Sequence, residues 1–145
     1  MGVNYGLFEE RGMDRFTGRP TNADMEFHKL GGMLSFGLPD YRTPHHVVDA
    51  EVQRILDLGV EARVNVKVGV DVSIADLKRD FDAVYLGIGA QRGSALDVPG
   101  GDAPNIVDGL SFLRDYNEGT SEVAGRRIVV IGGGDTAMDC VRTAI

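Results

Sequence analysis

Arg127-Ile128-Val129-Val130-Ile131-Gly132-Gly133-Gly134-Asp135-Thr136-Ala137 is the stretch on which the reading of this chain turns. An apolar run meets the pattern G-x-G-x-x-A, and helix-compatible residues continue to Ile145. Strand, glycine bend and helix in that order open a dinucleotide-binding βαβ unit. Gly132 lets the chain turn sharply off the strand. Gly134 lets backbone N–H groups approach a pyrophosphate with no Cβ in the way. Ala137 stands where the helix packs closely on the sheet, and Ala137, Val141 and Ala144 share a helical face. The unpaired N–H groups and partial positive charge of the helix start favour phosphate. Asp135 suits that dipole but repels a phosphate placed too near. The bland alternative is a plain glycine-rich strand–helix turn. The residue that chooses between NAD and NADP is expected about 20 residues further on, past Ile145.

Composition narrows the class. At 145 residues, 43% hydrophobic and 26% charged, the chain reads as one domain's worth of soluble globular protein. A net charge of −7 argues against nucleic acid or an anionic membrane as the main partner. No apolar run has spanning length. Cys140 is the only cysteine, so the chain offers no disulfide framework and no iron–sulfur ligand set. A reducing, cytoplasmic setting is the natural expectation.

Working back from the fingerprint, Asn117 to Gly125 is a polar connector, and Asp108 to Tyr116 is expected to be helical. Pro99-Gly100-Gly101-Asp102 is a turn. Ala83 to Ile88 is a nearly unbroken apolar run, expected as a parallel strand covered on both faces and ending at Gly89-Ala90. Ser73 caps a short helix to Asp80. Val60, Ala62, Val64, Val66 and Val68 alternate with polar residues as a half-buried strand. Before it, Thr43 as N-cap and Pro44 at the first helical position predict a helix that carries Val48, Val52, Ile55 and Leu56 and closes at Gly59. Leu30 to Pro39 reads as a glycine-punctuated loop, Val3 to Phe8 as a short strand, and Arg11 to Asp24 as a loop or insertion. The order suggests two α/β units in sequence.

Three pieces carry a resemblance. They are Leu30-Gly31-Gly32-Met33-Leu34 with Phe36-Gly37-Leu38-Pro39-Asp40-Tyr41-Arg42, Tyr85-Leu86-Gly87-Ile88-Gly89-Ala90, and Ile131 to Cys140. In this order and spacing the chain resembles the small (beta) subunit of NADPH-dependent glutamate synthase and related FAD/NAD(P) oxidoreductases, over Leu30 to Ile145. The resemblance implies a partial two-dinucleotide-binding, Rossmann-like α/β flavoprotein fold, truncated at both ends. Residues 1–108 would be part of an FAD-binding domain, 109–124 a linker, and 125–145 the start of an NAD(P)-binding domain. It implies FAD and NAD(P)H as cofactors, with a hydride passed to flavin and electrons leaving to a partner subunit or domain.

By carry-over, Gly31 and Gly32 belong to the loop that passes FAD, and Gly89 and Ala90 to the exit from the FAD sheet beside the flavin. Gly132, Gly133, Gly134, Asp135, Thr136 and Ala137 form the NAD(P) pyrophosphate loop. Arg42 matches a position that faces the flavin region. The FAD fingerprint itself and the family's cysteine-rich iron–sulfur region have no counterpart here. Glu9 is the candidate acid for the FAD ribose, with Glu26 as a rival.

His45 and His46 read as solvated residues of a first helical turn, and Cys140 as a small buried helix residue rather than a nucleophile. No Ser/His/Asp or paired-carboxylate constellation emerges, as suits hydride transfer, where cofactors carry the chemistry. Two other functions stay open. One is a non-catalytic fragment or subunit that serves assembly, with an unpaired apolar sheet edge inviting self-association. The other is a single-nucleotide module using only Gly132 to Ala137. The chain alone is expected to be inactive.

Overall fold

A computed structural model describes residues 3–7, 28–90, 93–94, 96–121 and 127–145. In chain order its elements are β1 (Val3–Leu7), α1 (Met33–Phe36), α2 (His45–Leu56), β2 (Glu61–Val68), α3 (Ile74–Asp80), α4 (Gly109–Asn117) and α5 (Asp135–Thr143).

β1 and β2 pair in parallel. Parallel neighbours need a crossover between them, and α1 and α2 lie in it. The alternating residues 61–68 form β2, but the valine face is buried only at its end, and in mid-strand Asn65 takes a positive φ of 56°. Asparagine tolerates that region better than other side chains. The register breaks there: Tyr5 faces Arg63, but Leu7 faces Val68. That irregularity lets Val68 turn inward and be buried while Val64 stays exposed.

The helices follow local signals. α3 starts at a full capping box, in which the Ser73 side chain accepts from the Asp76 N–H and Asp76 accepts from the Ser73 N–H. α4 is capped by Asp108, whose Oδ1 accepts from Leu110 and Ser111 N–H at 3.1 and 3.0 Å. α2 departs from expectation at its start. Pro44, not Thr43, holds the cap position, and the Asp40 carboxylate accepts from the His45 N–H at 2.8 Å. Gly59, at φ 89°, turns the chain out of α2 as expected. The loop expected at 30–39 contains the one-turn helix α1, entered through Gly31 (φ 106°) and Gly32 (φ 52°).

The core is helical. α4 packs on both α1 and α5, and α1 packs on α2. Phe36, Val48, Leu113 and Cys140 are buried there. Asn117 donates to the Phe36 and Leu38 carbonyls, both at 3.0 Å, tying the end of α4 to the chain leaving α1.

The Rossmann-like expectation is overturned. Such a fold needs several parallel strands side by side, with the glycine bend at the tip of a central one. Among the described residues the sheet has two strands, β1 and β2, and neither expected apolar strand joins it. Ala83 to Ile88 lies outside any strand, with Tyr85 93% exposed. Arg127 to Ile131 likewise pairs with nothing in the sheet, and Val129 is 85% exposed. An apolar run becomes a strand when a neighbour satisfies its backbone groups, and neither run has such a neighbour among these residues. Helices packed on one another, beside a two-stranded pair, form the observed architecture.

Candidate functional site

The glycine bend and the helix after it form as the sequence implies, even without the sheet. Gly132 has φ 138°, a conformation that side chains rarely adopt, and a Cβ built on it would stand 3.2 Å from the Ala137 Cβ. The bend and the first turn of α5 are therefore in close approach, with glycine and alanine the residues that permit it. Gly134 is the N-cap of α5, in extended backbone (φ −86°, ψ 177°) and with no side-chain cap. A Cβ on Gly133 or Gly134 would meet nothing within 4 Å among the described residues. The uncapped N–H groups of α5 thus open onto free space. Asp135 and Thr136 are exposed in the first turn, and Ala137 is half-buried.

The face that α5 buries differs from the expected one. Asp139 and Cys140 are buried, whereas Val141 is exposed. Sheet residues would have covered Ala137, Val141 and Ala144. The actual neighbour is α4, whose Gly109 leaves room for the far side. A Cβ at Gly109 would stand 3.1 Å from both Cys140 Sγ and Thr136 Cγ2. Burial pushes the Cys140 thiol above its ordinary range, and the charges of Asp139 and Asp108 push it the same way. Such a thiol is a packing residue, as the sequence suggests.

The sequence reading missed how the Pro39–Arg42 segment meets α5. Arg42 Nε lies 2.7 Å from Asp139 Oδ1, and Arg42 Nη2 lies 3.4 Å from Asp135 Oδ1. The Tyr41 hydroxyl donates to the Asp139 carbonyl at 3.1 Å and reaches its carboxylate at 3.4 Å. Arg142, in the last turn of α5, stacks over the Tyr41 ring at 4.1 Å. The Asp139 side chain is 3% exposed against 36% for Arg42, so a buried carboxylate holds a half-open guanidinium. The hydrogen bond with Asp135 and the charge of Asp139 both raise the Arg42 guanidinium above its ordinary value. By distance the tighter anchor is Asp139. The one signal in the sequence was an aspartate four residues after Asp135, which puts both carboxylates on one side of the helix.

The other carried-over residues do not converge on this point. Gly31 is demanded by packing: a Cβ there would collide with the Ser35 hydroxyl and stand 3.0 Å from Val48 Cγ1. Gly32 faces open space. Gly89 (φ 65°) and Ala90 end the exposed stretch 82–90. Glu9 and Glu26 lie outside the described residues. His46 is exposed, while His45 is half-buried with its Nδ1 3.9 Å from Asp40. Among the described residues no group of three or more His, Cys, Asp or Glu could hold a metal ion, and no helix is long and apolar enough to cross a membrane.

No family model matches the chain. Individual proteins do. The chain is 41% identical over 118 residues to the NADP(+)-dependent formate dehydrogenase subunit beta of Moorella thermoacetica, covering 79% of this chain and 17% of that protein. It is 39% identical over 118 residues to the NADPH-Fe(3+) oxidoreductase subunit beta of Geobacter sulfurreducens, covering 79% and 18%. It is 37% identical over 131 residues to the glutamate synthase (NADPH) small chain of Azospirillum brasilense, covering 82% and 27%. The chain shares a superfamily with these NAD(P)H oxidoreductases. It spans less than a third of the length of each. The first two are named as beta subunits.

Proposed function

We propose that this chain carries the NAD(P)H pyrophosphate site of an FAD-dependent oxidoreductase that passes electrons from NAD(P)H through flavin to a partner subunit or domain. The observation that carries the reading is the loop at the start of α5. Gly132 bends at φ 138° against Ala137, and among the described residues nothing lies within 4 Å of where a Cβ on Gly133 or Gly134 would stand. A phosphate there would accept hydrogen bonds from the free N–H groups of the first turn and sit at the positive end of the helix. The bound nicotinamide would supply a hydride; the residues here hold and orient the phosphates. The names of the relatives favour NADPH as the donor, and flavin enters through the superfamily. Gly32 is the carried-over FAD residue with open space before it.

The test is a fluorescence titration with NADPH and with NADH on the wild-type chain and on Gly134→Val. The reading expects saturable binding by the wild type. It expects that binding to be lost in the variant, whose branched side chain would fill the phosphate's place. Equal affinity in the two proteins would refute it.

The exposed apolar runs favour a second reading, a surface for assembly. Tyr85, Val129 and Ile131 are 93%, 85% and 72% exposed, and backbone groups beside such side chains are open to pairing with another chain. Sedimentation across a range of concentrations tests it: association that grows with concentration supports the reading, and a constant monomer mass contradicts it.

A further inference from the structure

We draw no further inference here: the strongest candidate, the exposed apolar surface of residues 83–88 and 127–131 on either side of α4 in the chain, carries nothing beyond the assembly reading already given, because nothing in the structure shows what covers it.

Discussion

Gly132 and Gly134 stand two residues apart in one loop, yet substituting them should move opposite properties. At Gly132 the backbone holds φ 138°, and a new Cβ would press on Ala137 at 3.2 Å. Strained conformations of this kind cost about 1–3 kcal/mol in a residue with a side chain. In a chain of this size each kcal/mol moves the thermal midpoint by roughly 2–4 °C. Gly132→Ala should therefore melt several degrees lower. Gly134 is at an ordinary φ of −86°, in open space, and serves as an N-cap without a capping side chain. Serine is a better N-cap than glycine by a few tenths of a kcal/mol, so Gly134→Ser should leave the midpoint unchanged or slightly raised. Its hydroxyl would accept from the very N–H that a phosphate needs. Losing one charge-assisted hydrogen bond, about 1.5–3 kcal/mol, should weaken NADPH binding about 10- to 100-fold. Scanning calorimetry of the unliganded proteins and a fluorescence titration measure the two effects. A Gly134→Ser protein that binds NADPH like the wild type, or that melts lower than Gly132→Ala, would refute the reasoning.

Other consequences follow from the packing. Arg42→Ala should lower stability because it leaves the buried Asp139 carboxylate with the Tyr41 hydroxyl as its remaining partner, and Asp139→Ala should cost less, since the half-open Arg42 can return to water; denaturant melts compare them. Gly109→Val should destabilise by about 1–3 kcal/mol by forcing Cys140 and Thr136 off α4, again read by denaturant melts. Cys140, buried and with its thiol raised, should resist an aromatic disulfide reagent until the chain unfolds. Folding stability should drop as pH rises past the ordinary thiol value of 9.0, because the unfolded thiol ionises first. Ser73 and Arg79 lower the Asp76 carboxyl, so its capping contribution to α3 should be full above the ordinary value of 3.8 and be lost progressively as pH falls from there through the lowered value, which helicity against pH will show.

What was legible in the sequence was local. The Ser73 cap, the helix from Asp108, the exit at Gly59, the existence of strand β2 and the Gly132 bend each depend largely on nearby residues. The failures were of two physical kinds. Ala83–Ile88 and Arg127–Ile131 have strand composition, but a strand exists by hydrogen bonds to a neighbour, which composition does not reveal. The buried face of α5 depends on whether a sheet or α4 covers it, and Gly109 marks the answer only once the two are brought together. The Tyr41 and Arg42 contacts with Asp139 span about 98 positions, and a charged residue in mid-helix reads as solvated until its partner is known. The resemblance had turned Arg42 toward flavin; the structure gives it to the two carboxylates of α5.

The account stands or falls on phosphate being received at the N-terminus of α5. Backbone amide NMR during a titration with NADPH measures that directly. The largest shifts should fall on the N–H groups of Gly133 through Ala137, with smaller ones on Arg42, and should be absent in Gly134→Val. Saturable shifts confined to other parts of the chain, or none at all with NADPH in excess, would contradict it.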